Sequence, residues 1–467
     1  MLEPTKAASL PVETHEGIAP VAVTGDWQAA QLVTDSLRAT VLRVAIPAVA
    51  SSLLMTLFSS VDAFWVGTRI GSTGLAAVST SLFWIWMIIS LAEMVGVGLT
   101  AVAARRRGEG RAEDAARLGG DTLLMSVALG AVVALAGTRY LPRLFEVMHT
   151  SSDVTALGMT YLGIILIGTP FLYGFFAIDA AFRAAGDTRT PFVLLLTSVA
   201  VTLVLDPALI LGWGPLPKMG IAGAAIATVL TRGAAFVMGL VLAFQRGLIR
   251  VGRVRAESIL AVCRVGLPTA VTGVTFSLIY VVLTRTTTRF GTPALAALGI
   301  GHRVESWLFM IGVGFGAATA AIVGQNLGAG RVDRASHAGW LATAYCTAAG
   351  LVGCILELLF PREFASLFTA DPAVIAESVK YLRIAALSQI AVSAEIVLEG
   401  ALGGAGETIP PMLSSTAITA SRIPLAAWAA TTWGSVGIWW VISLTAMGRG
   451  IAMVLLWRWG RWKRRSV

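Results

Sequence analysis

Long apolar segments separated by short polar connections follow one another through most of this 467-residue chain. A helix needs about 20 apolar residues to cross a bilayer, and that rule gives about twelve candidate spans. Hydrophobic residues make up 56% of the chain and charged residues 13%, which is too little polar surface for a soluble protein of this size. We therefore predict an all-α polytopic membrane protein. The candidate spans are residues 43–68, 74–103, 117–138, 155–184, 190–213, 219–246, 258–287, 293–322, 337–360, 374–403, 410–432 and 435–458.

Basic residues mark one side of this predicted membrane protein. They cluster between spans two and three, between spans six and seven, and after span twelve, whereas the alternate connections hold far fewer. Cytosolic loops concentrate such residues, so we expect both termini in the cytosol. The clustering also explains the net charge of +9 without a nucleic-acid-binding face. Residues 1–36 are polar and lack a signal segment, so they are expected to form a disordered cytosolic tail, and residues 459–467 a basic one.

An internal repeat divides the chain into two halves. Gly-Glu-Gly-Arg at 108–111 recurs as Gly-Ala-Gly-Arg at 328–331, and Gly-Asp-Thr at 186–188 recurs as Gly-Glu-Thr at 406–408, each 220 residues later. A constant offset along the chain indicates duplication. Each half holds about six spans, an even number, so we predict parallel repeats around a central cavity, as in transporters. The predicted parts are an N-terminal lobe at 37–247, a cytosolic linker at 248–256 and a C-terminal lobe at 257–458.

One carboxylate, Asp62, lies in the otherwise apolar first span. A charge at the centre of a membrane helix costs roughly 2.5–3.5 kcal/mol on insertion scales, so Asp62 is a functional-site hypothesis that needs a partner. Asp206 in span five is our candidate partner. A low dielectric constant disfavours a charged carboxylate, and two neighbouring acids can share a proton, so we predict that the pair binds the coupling ion. Capping of backbone groups, or a local break at Pro207, is the structural alternative.

Pro47 lies about four helical turns before Asp62 and leaves one backbone carbonyl of its helix unpaired. We predict a hinge at Pro47 that responds to protonation of Asp62. A static kink is the alternative, because kinks at proline are common.

Other polar and aromatic residues inside spans are candidates for a substrate cleft. Glu395 and Glu399 are four residues apart on one helix, so their like charges require a bound proton or a partner on another helix. The predicted cleft residues are Glu93, Trp65, Tyr173, Arg285, Glu395 and Glu399.

Two further sets of charged residues are explained by local structure. Asp179 and Arg183 are four residues apart, the spacing of an ion pair within one helix. His302, Arg303 and Glu305 in span eight are predicted to form a local polar network rather than a proton relay.

Several short motifs together resemble those of the multidrug and toxic compound extrusion (MATE) family of secondary antiporters. They are Val61-Asp62 followed by Val66-Gly67, Gly186-Asp187-Thr188, Asp206-Pro207, Gly220-Ile221-Ala222-Gly223, Gly324-Gln325-Asn326-Leu327-Gly328 and Arg422-Ile423-Pro424-Leu425. The resemblance implies a V-shaped transporter of twelve helices that exports mostly cationic amphipathic compounds in exchange for protons or sodium ions. It implies neither enzymatic activity nor a cofactor. We also expect a monomer.

The chain looks closest to the branch of that family named for DNA-damage-inducible protein F. That branch has a proline and an aspartate in helix one, here Pro47 and Asp62, and an asparagine and an aspartate in helix five. Asp206 is present, but the position four residues earlier is Thr202. The lost amide oxygen weakens the case for Na⁺ more than the case for H⁺, because a hydroxyl can still hydrogen-bond a carboxyl group. The resemblance adds Thr228 to the predicted ion-coupling cluster.

Two other functions stay open on the sequence alone. A lipid-linked precursor flippase of the same superfamily is compatible with Arg285, Arg289 and Arg422, although it would be expected to have more helices. An integral-membrane enzyme would need acids or histidines clustered at one membrane face. The four histidines are scattered, and no nucleophile and base pair, phosphate-binding loop or metal-ligand spacing is present.

Overall fold

The computed structural model describes residues 32–146, 148, 152–214 and 216–465, without the side chains of residues 62–64, 72 and 83. Most of the predicted N-terminal tail therefore lies outside the described residues. Regular secondary structure in the described residues is helical throughout, with no strand. The helices are α1 (Leu37–Arg69), α2 (Ser72–Gly108), α3 (Ala112–Glu146), α4 (Ser152–Ala184), α5 (Arg189–Leu211), α6 (Ile221–Gln245), α7 (Ala256–Thr287), α8 (Gly291–Gly328), α9 (Val332–Leu359), α10 (Pro361–Ser366), α11 (Pro372–Ala386), α12 (Gln389–Gly404), α13 (Ile409–Ala420) and α14 (Arg422–Trp459).

Nine helical stretches in the described part of the chain are long and apolar enough to cross a membrane. Two of them, Ala256–Gly328 with 73 residues and Ile409–Trp459 with 51, are each long enough for two crossings. The first is interrupted by a 3₁₀ turn at Thr288–Phe290, and the second by Gly434, whose φ of 61° favours glycine. Helices α11 and α12 form one further span with a bend of 55°. These stretches provide the predicted twelve crossings.

Equivalent helices pack in the same way in the two halves of the chain. In the N-terminal lobe α4 contacts α2, α3 and α6, and in the C-terminal lobe the bent span α11–α12 contacts α8, α9 and α14. The cores also correspond. Tyr161 and Leu162 are buried in one lobe, and Tyr381 and Leu382, 220 residues later, are buried in the other. The predicted two-lobe architecture is confirmed.

The lobes join toward one end of the molecule. Among the described residues, one apolar cluster connects Leu99 of α2 to Val262 of α7, and another connects Ala45 of α1 to Ile322 of α8. Farther along α1, Phe58 packs within its own lobe. The V-shaped cleft therefore lies between the other halves of the lobes. The joined end carries the basic residues at 105–107, 250–255 and 461–465, and we call it the basic end.

The repeated glycine motif explains how closely α2 and α8 cross at the basic end. A β-carbon on Gly108 would overlap the carbonyl oxygen of Gln325, and one on Gly328 would overlap the carbonyl oxygen of Arg105. The two glycines are 220 residues apart, and so are the two carbonyl groups, so the contact is reciprocal between the repeats. The motif therefore sets the junction of the lobes.

The repeated acid has a structural role at the same end. The carboxylate of Asp187 accepts hydrogen bonds from the backbone N–H groups of Arg189 and Thr190, each at 3.0 Å, and pairs with Arg246 after α6. Its counterpart Glu407 lies 3.6 Å from Arg465. In both lobes an acid after the fourth span therefore holds the basic residues that follow the sixth.

Candidate functional site

A buried polar cluster lies between α5 and α6 inside the N-terminal lobe. Asp206 and Thr202, 0% and 1% exposed, are four residues apart on one face of α5. The Thr202 hydroxyl lies 2.9 Å from that of Thr231 on α6, and also 2.9 Å from the Ser198 carbonyl oxygen. Thr231 lies 2.9 Å from the carbonyl oxygen of Ala227. The structure thus brings predicted Asp206 and Thr202 together on α5, where the Thr202 hydroxyl also links this helix to α6.

The next residue on α6, Arg232, is a buried charge beside this cluster. It is 7% exposed, its guanidinium carbon lies 4.7 Å from the centroid of the Phe58 ring, and Nη2 lies 3.3 Å from Sδ of Met55. None of the ion pairs between described side chains includes Arg232. Phe58 and Met55 belong to α1, and Phe58 lies about one helical turn before Asp62. Arg232 therefore extends from α6 toward the segment of α1 that carries Asp62.

Asp62 itself belongs to α1, but its side chain lies outside the described residues. Helix α1 packs against α5, the helix of Asp206, and the pairing of the two carboxylates stays a prediction. Thr228 is half-buried, and its hydroxyl has no hydrogen-bond partner in the described part of the chain. Its carbonyl, rather than its hydroxyl, accepts a bond from Thr231. Pro47 lies inside α1, which continues through it as one helix, so hinge motion there also stays a prediction.

Charged side chains from the N-terminal lobe collect where the lobes begin to separate. Glu93 of α2 is exposed, although its neighbour Met94 has its carbonyl pressed against Gly266 of α7. Arg183 of α4 pairs with Asp179 at 2.6 Å, which confirms the predicted local ion pair. The Arg183 guanidinium also packs against Gly96 of α2, three residues after Glu93. Glu93 therefore lies at the edge of the packed interface, open to the cleft.

The C-terminal lobe also carries charged residues on helices near this edge of the cleft. Nη1 of Arg449 on α14 lies 3.1 Å from Oε1 of Glu395 on α12, which confirms that one acid of the Glu395 and Glu399 pair has a partner on another helix. Glu399 is half-buried on the same helix, and α12 packs against α2, the helix that carries Glu93. We call this set the cleft floor; it consists of Glu93, Asp179, Arg183, Glu395, Glu399 and Arg449. Four carboxylates face two guanidinium groups, so the floor is negative when all are ionised.

A separate polar network fills the interior of the C-terminal lobe. Arg422 is 1% exposed and donates from Nε to Thr445 Oγ1 at 2.7 Å. Its Nη1 donates to the Tyr280 hydroxyl and its Nη2 to the Ile442 carbonyl, each at 3.3 Å. All three nitrogens of this guanidinium are therefore used to hold helices together.

The rest of that network includes part of the predicted polar set in span eight. The Tyr381 hydroxyl donates to Oε2 of Glu305 at 3.0 Å. His302 packs edge-on against Tyr280, with ring centroids 4.6 Å apart. Arg303 is exposed and lies outside this network, because the helix directs it away from its two polar neighbours. The prediction of a local polar network is therefore correct for Glu305 and wrong for Arg303, while the recorded contacts of His302 are with aromatic rings.

A family model described as MatE matches residues 47–208 and, a second time, residues 268–428. The chain belongs to the MatE family. It is 28% identical over 446 residues to the probable multidrug resistance protein NorM of Thermotoga maritima, with 92% of this chain and 94% of the relative covered. It is 29% identical over 341 residues to the FAD transporter of Shewanella oneidensis, with 72% and 75% covered. The two relatives carry different names for what they transport, so membership of MatE does not name a substrate.

A solved structure shares the fold of this MatE chain. The crystal structure of a mutant of the Vibrio cholerae MATE transporter VcmN matches it with a TM-score of 0.85 and 21% identity, covering 94% of this chain and 100% of the other. The likeness supports the two-lobed, V-shaped architecture. As a MatE protein the chain is a multi-pass membrane transporter and not an enzyme.

Two of the predicted cleft residues pack within the N-terminal lobe of this MatE protein. Tyr173 is 0% exposed, and its hydroxyl donates to the carbonyl oxygen of Ile88 at 2.7 Å. The prediction that Tyr173 lines the cleft is therefore wrong, because the phenol is fully used in the lobe core. Trp65 is half-buried and packs beside Val66 against the core of the same lobe.

Three residues of the described site escaped the sequence analysis: Thr231, Arg232 and Arg449. A signal existed for the two arginines, because a charge within an apolar span requires a partner or a function. Thr231 gave no such signal, since threonine hydroxyl groups commonly bond to their own helix. The described residues contain no group of three or more potential metal ligands.

Proposed function

We propose that this chain exports amphipathic organic cations in exchange for protons, by alternating access between its two lobes. The observation that carries the proposal is the cleft floor, where one acid–arginine ion pair from each lobe and the two further acids Glu93 and Glu399 lie on helices that pack together. Such a site attracts a cation from the cleft, and loses that attraction when its unpaired acids are neutralised. Its position between the lobes means that relative motion of the lobes would alter it.

Proton coupling is assigned to Asp206 with its predicted partner Asp62. Asp206 is fully buried on α5, which packs against α1, so proton uptake by its carboxylate would alter the electrostatics between the two helices. The tight junction at the basic end would open when the cleft closes. We assign the basic end to the cytosolic side of the bacterial inner membrane, in keeping with the positive-inside rule.

Transport in proteoliposomes tests the proposal. The purified protein would be assayed with the fluorescent cation ethidium while pH and sodium gradients are imposed separately. A pH gradient should drive ethidium movement against its concentration gradient. Absence of transport under either gradient would refute cation-coupled export. FAD should be assayed in parallel, because one relative is named as an FAD transporter; pH-driven movement of FAD without ethidium would overturn the cation assignment.

The coupling residues are tested by isosteric amides. Asp206→Asn and Asp62→Asn should each lower pH-driven ethidium transport by about tenfold or more, because an amide cannot take up and release the proton. Asp153→Asn is the matched control, an exposed carboxylate in the first turn of α4. Transport by Asp62→Asn equal to that of the parent would show that this mechanism is wrong.

The cleft floor is tested through substrate charge. Glu93→Gln and Glu399→Gln should raise the KM for a dication such as methyl viologen more than the KM for monovalent ethidium, since each removes one attractive charge. Glu363→Gln, an exposed acid on α10, is the control. Equal KM changes for the two cations would argue against direct electrostatic recognition at the floor.

The described arginines do not favour the flippase alternative. Arg285 and Arg289 are exposed near the end of α7, whereas Arg422 is buried and bonded to Thr445 and Tyr280. The three guanidinium groups therefore do not line one basic cavity.

A further inference from the structure

We infer that residues 32–36, which precede α1, form a releasable strap that keeps the two lobes together at the basic end. We call these residues the strap. The inference rests on the proposed function, because alternating access requires the lobes to separate at the basic end during every transport cycle. It does not depend on which ion drives transport or on which compound is carried.

The strap lies across the boundary between the lobes. Its first residue, Leu32, is 1% exposed and belongs to the same apolar cluster as Ala45 of α1 and Ala338 of α9. The Leu32 side chain also lies against Gly186, in the turn that follows α4. Because α1 and α4 belong to the N-terminal lobe and α9 to the C-terminal lobe, Leu32 contacts both lobes where they are joined.

Side chains of the C-terminal lobe bind the backbone of the strap. Nη2 of Arg334 on α9 donates to the carbonyl oxygens of Leu32 and Asp35, at 3.2 and 2.5 Å. Nη1 of Arg331, immediately before α9, donates to the carbonyl oxygen of Val33 at 2.9 Å. Hydrogen bonds from a charged donor are stronger than those between neutral groups. Two arginines of the opposite lobe therefore bind three carbonyl groups of the strap.

The other end of the strap is fixed to its own lobe. The Asp35 carboxylate pairs with Arg43 of α1 at 3.0 Å, and the Ser36 carbonyl oxygen accepts a hydrogen bond from the N–H of Thr40 in the first turn of α1. Only Ser36 separates Asp35 from α1, and one residue spans at most about 3.6 Å of extended chain. The strap therefore has almost no slack, so movement of α1 away from α9 would break its bonds to the arginines.

The equivalent segment of the repeat is the linker between α6 and α7. Residues 252–255 of this linker follow residues 32–35 of the strap by 220 positions. The linker is fastened to α3 of the N-terminal lobe, as the strap is fastened to α9 of the C-terminal lobe. The N–H of Arg250 donates to the Ala116 carbonyl oxygen at 2.9 Å, and the Arg250 side chain pairs with Glu113.

Beyond Arg250 the linker has the slack that the strap lacks. Residues 251–254 are exposed and lie outside regular secondary structure, and four residues can extend to about 14 Å. The next residue, Arg255, is bonded to α3 through its flexible side chain, with Nε 3.1 Å from Oδ2 of Asp121. The linker can therefore follow the lobes as they separate, whereas the strap has to be released from α9.

Cross-linking tests whether the strap has to be released. Val33→Cys and Arg331→Cys would be joined by a bis-thiosulfonate cross-linker, which a reductant removes. Ethidium transport driven by a pH gradient in proteoliposomes should fall by about tenfold or more and return on reduction, because each turnover needs the conformational step. The matched control joins the linker to α3 through Glu113→Cys and Arg250→Cys, and it should transport equally before and after reduction, since the slack lies beyond Arg250. Alanine would replace the native cysteines in all of these proteins: Cys263, Cys346 and Cys354.

A second readout measures the separation of the lobes and does not depend on transport. Spin labels at Arg117→Cys on α3 and His337→Cys on α9, two exposed positions 220 residues apart, report the distance between the lobes at the basic end. Arg334→Gln removes the charged donor of two strap bonds, so the ratio of open to closed populations should rise by about tenfold. Arg253→Gln, which changes an exposed arginine of the linker, is the control and should leave that ratio unchanged.

Two results would overturn the inference. One is a cross-linked strap that supports the same transport rate as the reduced protein. The other is an Arg334→Gln protein with the same distances between spin labels as the parent. A parent that moves ethidium under neither a pH nor a sodium gradient would instead refute the proposed antiport, while the spin-label distances would still show whether the strap keeps the basic end closed.

Discussion

The buried arginines inside the two lobes differ in their partners. Arg422 uses three nitrogens as donors, and Arg449 is paired with Glu395. Arg232 of the other lobe contacts an aromatic ring and a thioether. Charges locked in pairs stabilise one arrangement of helices, while a charge without a fixed partner can respond when a neighbouring acid gains or loses a proton.

The repeat shows where this difference arose. Positions that set backbone packing are the same in both halves, as with Gly108 and Gly328 at the lobe junction. The acid proposed for coupling is not repeated, because the position 220 residues after Asp206 is Ala426, which is buried in the C-terminal core. The two halves therefore share the positions that set helix packing, but they differ in the polar residues inside each lobe.

The largest effect is expected from breaking the buried ion pair of the C-terminal lobe. Glu395→Gln leaves the Arg449 guanidinium without its partner, at a side-chain exposure of 12%. Removing one member of a buried pair costs about 3–5 kcal/mol, and we expect the lower end because Glu399 lies nearby. The loss is measured as the difference in the free energy of unfolding between the variant and the parent in detergent micelles.

The control for this change is Glu363→Gln, which alters an exposed acid and should leave the free energy of unfolding unchanged. Adding Arg449→Met to Glu395→Gln should recover most of the lost stability, because the orphaned charge is then removed. If Glu395→Gln is as stable as the parent, the C-terminal charges are not held as pairs and the contrast between the lobes fails.

An intermediate effect is expected at the junction that the two lobes share. Gly108→Ala and Gly328→Ala each place a methyl group against a backbone carbonyl of the other lobe. Overpacking costs about 1–3 kcal/mol, and the reciprocal geometry predicts similar losses for the two variants. The free energies of unfolding of the two variants are then compared directly. Gly299→Ala is the control, because this glycine has open space around it. Clearly unequal losses would show that the junction is not symmetric.

The large-scale architecture followed from the sequence because its causes are local. Apolar length specifies a span, and the glycine motifs repeat at a fixed offset, so the helices and the two lobes were predictable. The ion pair of Asp179 and Arg183 was predictable for the same reason, since both residues lie on one helix. Contacts between helices were harder. Glu395 needed a partner, but only the packing of α12 on α14 identifies it as Arg449.

The wrong assignment of Tyr173 also arose from contacts between helices. Tyr173 is an aromatic residue with a polar tip in a span, which is compatible equally with a cleft and with a core. Its assignment depends on Ile88 of another helix, whose carbonyl accepts the phenol hydrogen bond. Thr228 and Thr231 lie on the same helix, and the rotation of α6 decides that Thr231 meets Thr202. Rotation about a helix axis is set by packing against neighbours, so nothing in the local sequence reveals it.

The smallest expected effect concerns the hydroxyl pair of the N-terminal lobe. Thr202→Val and Thr231→Val should each lower the free energy of unfolding by about 1 kcal/mol, the net value of one hydrogen bond. Since both remove the same bond, the double variant should lose less than the sum of the single losses. Thr197→Val, an exposed threonine of α5, is the control. Fully additive losses would mean that the two hydroxyls act independently, and the N-terminal cluster would then be a set of separate helix contacts rather than one polar unit around Asp206.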